Sequence, residues 1–128
     1  MLKRLNPEGV PKPGSPYSQA IEAGPGMRWL HISGQVGVDP SGKVLEGAEA
    51  QIEQIWRNVL GCLKAAGMGP QDLVKVTVLL TRREDIAVSR DIRRRMLDGA
   101  EPASTLMIVS GLASPDLLAE IEAIAAAP

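Results

Sequence analysis

Residues 72–81, DLVKVTVLLT, alternate with a period of two. Val74, Val76, Val78 and Leu80 fall on one side and Lys75, Thr77 and Thr81 on the other, the pattern of a β-strand with one face in a core. Both flanks have a helical period instead. Upstream, from about residue 49, Ile52, Ile55, Trp56, Val59, Leu63 and Ala66 recur at spacings of three and four and stop at Gly67. Downstream, a shorter pattern over residues 84–97 turns Ile92 and Met96 inward and Arg93 and Arg94 outward, and Gly99 ends it. A strand framed by two helices must find its sheet partners elsewhere in the chain. The candidates are 18–23 and 27–36, separated by the turn signal GPG, and STLMIVS and LLAEIEAIA near the C-terminus, joined by GLASP. The predicted order is ββ-α-β-α-ββ, with a short extra strand near residues 2–5. The fold class is α+β: a mixed sheet with both helices on one face. The other face carries Lys75, Thr77 and Leu79 beside Glu120, Glu122 and Ile124. Nothing in the chain covers it, so oligomerisation through that face is expected.

The 128 residues read as a single domain, 1–128, able to bury roughly two-thirds of its unfolded surface without disulfide or metal. Cys62 is the one cysteine and cannot form an internal bridge, which fits a reducing compartment. The N-terminal stretch has no apolar run behind Lys3 and Arg4, so it is not a signal peptide. No segment reaches the ~18 apolar residues of a spanning helix. A soluble, cytoplasmic protein is expected, with no membrane partner. A net charge of −1 and only three aromatics, Tyr17, Trp29 and Trp56, argue against nucleic acid.

Several residues could carry chemistry. Glu120 and Glu122 share one side of an Ile/Ala-rich strand, either as a solvated edge or as a half-buried carboxylate that orients water or takes a proton. His31 and Ser33 share a strand face, but a lone histidine without partners at ligand spacing is ordinarily structural, and no metal site is expected. No Gly-x-Ser-x-Gly elbow presents a nucleophile, and there is no phosphate loop or dinucleotide fingerprint. Ser33–Gly34–Gln35 could present backbone donors to an anion or form a bulge. The basic clusters at 82–83 and 93–95 read as solvated helix faces. Cys62 reads as a core residue.

The blocks PYSQA (16–20), SGQ (33–35), NVLGCLKAAG (58–67), DLVKVTVLL (72–80) and EIEAIA (120–125) resemble, in order and at matching distances, the Rid family of reactive-intermediate deaminases, also called YjgF or endoribonuclease L-PSP. The similarity spans essentially the whole chain. It implies a fold similar to chorismate mutase of the bacillus type and a homotrimer whose sheets form a central barrel, with small-molecule clefts between subunits. The implied activity is cofactor-free hydrolysis of short-lived enamines and imines to a 2-keto acid and ammonia. Carried over residue by residue, Tyr17 matches the family tyrosine near the cleft, Ser33 with Gly34 a pocket wall, and Glu120 the acid that orients the attacking water.

One member is missing. The family motif Pro-Ala-Arg-Ser, whose arginine grips the substrate carboxylate, here reads Pro102–Ala103–Ser104–Thr105. An Arg–carboxylate fork is bidentate and charge-assisted, and losing a buried partner of that kind costs about 2–5 kcal/mol. Serine is too short and uncharged to replace it. With Arg82, Arg83 and Arg93 to Arg95 read as solvent-facing, no substitute clamp is expected. Ser104 and Thr105 then become hydroxyl partners for a neutral or differently polarised substrate. The sequence thus supports a Rid-type hydrolase or deaminase with an altered substrate, Glu120 and Tyr17 being catalytic. The alternative is a non-catalytic trimer that binds a small ligand or a partner in the same cleft.

Overall fold

The alternating segment forms β4 (Leu73–Leu80), next to the parallel edge of the main sheet in the computed structural model, which describes all 128 residues. The chain runs β1 (Leu2–Leu5), β2 (Ala20–Ala23), β3 (Arg28–Val36), α1 (Ala48–Ala65), β4, α2 (Ile86–Met96), β5 (Ala103–Ile108) and β6 (Ala119–Ala127). Short 3-10 turns at Pro70–Asp72 and Arg83–Asp85 lead into β4 and α2. The main sheet has the order β3-β6-β4-β5, with β4 and β5 parallel and the other pairs antiparallel. A parallel pair needs a crossover, and α2 supplies it. β1 and β2 pair antiparallel as a separate two-stranded ladder. No helix is long and apolar enough to cross a membrane.

Both helices lie over one sheet face. Val76, Val78 and Leu80 of β4 and Ile121, Ala123 and Ala125 of β6 are buried there with Ile52, Ile55, Trp56, Val59 and Leu63 of α1. The alanines of β6 leave room for the large side chains of α1. Each large apolar side chain taken fully out of water contributes about 1.5–3 kcal/mol. α1 ends as its sequence suggests. Gly67 adopts φ 70°, its N–H donates to the Lys64 carbonyl, and Met68 N–H donates to Leu63 O at 2.9 Å. That is the double bond of a Schellman stop, with Leu63 and Met68 both in the core.

In α2 the arginines do not behave as expected. Ser89, Ile92 and Arg93 are its buried residues, while Arg94 and Arg95 face outward. Arg93 lies four residues after Ser89, so it continues the inward stripe, and the small serine leaves space beside it. The opposite sheet face has no helix over it. Register places Leu79 between Glu120 and Met107, Thr77 between Glu122 and Thr105, and His31 opposite Ile124. Trp29 and Met107 are 53% and 46% exposed.

Candidate functional site

A cleft of about 190 Å³ opens where the loop before β2 crosses the start of β5. The loop is stitched in place by Ser18, which is buried. Its N–H donates to the Pro102 carbonyl at 3.1 Å, its hydroxyl donates to Glu101 O at 2.6 Å, and it bridges to Ala103 in parallel register. That attachment plants Ser15 and Tyr17 on one wall. Ser89, Arg90 and Arg93 of α2 form the second wall, and Ser104 and Leu106 of β5 the third.

Arg93 dominates this cleft. Its Nη1 donates to Ser104 Oγ at 2.8 Å, whereas Nε and Nη2 are buried without a partner. The residue is 8% exposed. Burial away from water pulls its guanidinium down from the ordinary arginine value to about 10. The expectation that residues 93–95 all face solvent therefore fails at Arg93. With it falls the expectation of a cleft without a guanidinium, for one is present, brought from the helix rather than from β5.

Glu120 lies elsewhere. Val76 pairs in register with Ser104 and Ala123, and Val78 with Leu106 and Ile121, all on the helix side. Leu79, one residue on, pairs with Glu120 and Met107 on the open side. Glu120 and the Tyr17–Ser104 cleft thus lie on opposite faces of one chain's sheet. On the open face, β3 shifts register between Ile32 and Gln35, so Ser33 and Gly34 together oppose the single Glu122. This is a β-bulge, and the half-buried Glu120 carboxylate lies against its glycine; a Cβ on Gly34 would run into that carboxylate. Ser33 and His31 are exposed on β3. Thr105 is also on the open face, where its hydroxyl accepts from Lys75 Nζ at 2.7 Å.

The six residues expected at the site therefore fall into two groups. Tyr17 and Ser104 meet in the helix-side cleft, and Ser33, Gly34, Glu120 and Thr105 stand on the open face. Sequence reasoning missed the role of Arg93 because a triple arginine reads as solvated. The spacing to Ser89 and the stripe through Ile92 were the available signal. No group of three or more His, Cys, Asp or Glu side chains is placed to hold a metal ion. A larger hollow of about 370 Å³ beside Leu45 and Leu118 is a poorer candidate. Its buried amide, Gln51, is fully engaged, donating to Leu45 O and Asp116 O and accepting from Leu118 N–H.

Comparison with known proteins gives a consistent result. Residues 8–127 match the family model for endoribonuclease L-PSP. A RutC family protein of Pyrococcus horikoshii is 40% identical over 120 residues, covering 92% of each chain. A 2-iminobutanoate/2-iminopropanoate deaminase of Mus musculus is 36% identical over 125 residues, covering 96% of this chain and 90% of that one. Among solved structures, the Rid family protein YyfB of Yersinia pestis superposes with a TM-score of 0.87 at 34% identity, covering 97% of each chain.

Proposed function

The chain belongs to the endoribonuclease L-PSP (Rid) family, and on that premise we propose that it hydrolyses the C–N bond of a small imine or enamine without a cofactor. The observation that carries this reading is a built small-molecule cleft on one sheet face together with a carboxylate held over a bulge on the other. One chain cannot bring the two together. A second copy presenting its open face beside the first copy's cleft does, and a closed trimer of such contacts covers all three open faces. The apolar exposure of Trp29 and Met107 supports burial of that face.

In this assembly Glu120 positions a water and takes its proton as the oxygen adds to the imine carbon. That proton passes to nitrogen to give the carbinolamine, whose O–H proton then moves to nitrogen as the C–N bond breaks, and the products are a carbonyl compound and ammonia. The Ser33–Gly34 bulge leaves peptide groups outside the ladder, available to hold the carbinolamine oxygen as its proton leaves during collapse, and Tyr17 orients the substrate. Ser104 stands where the family's strand arginine would be, so any hold on a charged substrate must come from another element.

The test generates imines in situ with an amino-acid oxidase acting on a series of amino acids, and follows their semicarbazone trapping. The wild-type protein is expected to suppress trapping and Glu120→Gln to lose about 10²-fold or more of that effect. Equal suppression by both proteins would remove Glu120 from the mechanism. A ligand that raises the melting temperature but is recovered unchanged, with no suppression for any imine, would favour a binding protein instead.

A further inference from the structure

Arg93 has one hydrogen bond and no counter-ion. Its neighbours on α2 are satisfied otherwise: Arg94 pairs with Asp91 at 3.3 Å and Arg95 with Glu53 at 3.1 Å, both at the surface. Burying a guanidinium without an anion is strongly unfavourable, and such a group ordinarily finds an acid or neutralises. No acid is in reach here. The cleft lining instead adds a second guanidinium, Arg90, and the hydroxyls of Ser15, Tyr17, Ser89 and Ser104, with no carboxylate among them.

The pattern of the missing partners is specific. Nε and Nη2 lie on one edge of the guanidinium plane and point their N–H groups in parallel, the edge that takes a carboxylate side-on through two bonds. Both are shut off from water in the empty cleft, so a carboxylate reaches them only as the side chains over them move aside. Nη1, on another edge, is fixed by Ser104 Oγ. So Ser104 does not replace an arginine; it orients one. The volume sets the size of the ligand. At about 30 Å³ per water, 190 Å³ holds roughly six waters, or an acid of about six or seven heavy atoms.

We propose that Arg93 is a carboxylate anchor supplied from α2, with Ser104 as its positioning residue, and that the ligand of this cleft is a small monocarboxylate. This rests on the cleft being the substrate site, and it narrows the substrate class to anionic imines whose hydrolysis yields a small 2-oxo acid. The downward pull on the Arg93 pKa agrees with a cation that lacks its anion while the cleft is empty.

Binding of 2-oxobutanoate, which needs no turnover, separates this inference from the hydrolysis reading. Calorimetric titration would compare wild type, Arg93→Met, Arg93→Lys, Ser104→Ala and Glu120→Gln, with the methyl ester of the same acid as uncharged control. Wild type and Glu120→Gln are expected to bind the acid, and Arg93→Met to bind it at least 30-fold more weakly, about what losing a desolvated charge pair costs. Arg93→Lys keeps the charge without the fork and should fall between. Ser104→Ala should weaken the acid severalfold. The Arg93 variants should lose far less affinity for the ester than for the acid. If Arg93→Met does not fold, the Arg93→Lys and Ser104→Ala results decide. Unchanged affinity in the Arg93 variants, or a wild type that prefers the ester, would overturn the anchor while leaving hydrolysis to be judged by its own assay. Equal loss of acid and ester in Arg93→Met would mean a structural role only, and would overturn it too.

Discussion

Arg93 should cost the empty protein stability, and the cost should depend on pH in a definite direction. Its folded pKa of about 10 lies below the ordinary arginine value, so between those values the unfolded chain binds more protons than the native one. Below pH 10 both forms are charged and the penalty is fully present, on the order of 3 kcal/mol by the size of that shift. Above pH 10 the buried group neutralises and the penalty fades as pH approaches the ordinary arginine value. Arg93→Met keeps part of the aliphatic stem and removes the charge, so it should be more stable than wild type at pH 8, and the gap should narrow by about a third at pH 11. Denaturant melts of the two proteins at both pH values measure this. Every other titrating group is common to both, so their difference isolates Arg93. A variant less stable than wild type at pH 8 would mean that the guanidinium is compensated in the fold. A saturating carboxylate should remove the wild-type deficit, as a ligand bound to the native state alone must.

Among the elements, α1 is tied to the loops by one polar side chain. Gln51 is buried on the inner face of α1, and its amide holds Leu45 O at 2.9 Å, Asp116 O at 2.8 Å and Leu118 N–H at 2.8 Å. Gly37 passes so close that a Cβ there would strike the Gln51 side chain. Gln51→Leu keeps the volume and drops all three bonds. The hollow beside it can admit water to the carbonyls, so the expected loss is near the lower end for several unsatisfied groups, roughly 2–3 kcal/mol. A melting temperature lower by about 10 °C would record it, and a shift under 2 °C would refute the clamp. The same element tells what periodicity can and cannot reveal. The run from Ile52 to Leu63 and the alternation through β4 are repeats of hydrophobicity, and both elements fall within a residue or so of the expected bounds. Gln51 sits on the inner stripe of α1 and Arg93 on that of α2, but a polar side chain carries no period of its own. Their burial is decided by partners far along the chain, Asp116 for one and Ser104 for the other. The Ser33–Gly34 bulge was an open alternative in the sequence, because two residues opposing one is a property of the pairing with β6. The division of Tyr17 and Glu120 between two faces likewise follows from register, which no motif records.

At the level of the whole molecule, the two faces of the sheet have unequal claims on function. The helix side is covered by α1 and α2. The open side exposes Trp29 and Met107 around Leu79 and Ile124, and it carries the acid that hydrolysis requires. If a second copy must bring Glu120 to the first copy's Arg93 and Tyr17, then blocking that face should abolish turnover while leaving each chain folded. Met107→Lys is suited to this, because Met107 is exposed in the single chain and lies on the edge strand β5 beside Leu79 of the open face. Burying a lysine there without a partner would disfavour association by several kcal/mol, whereas leaving it in water costs little. Sedimentation velocity should find the wild type near three times the chain mass and the variant near one. The variant's circular dichroism should be unchanged, and its suppression of semicarbazone trapping lost. An active variant of single-chain mass would mean that one chain completes the site by itself, against the opposed faces of Glu120 and Ser104. A variant that keeps the wild-type mass would place the interface elsewhere, and the open face would then need another explanation for its exposed tryptophan and methionine.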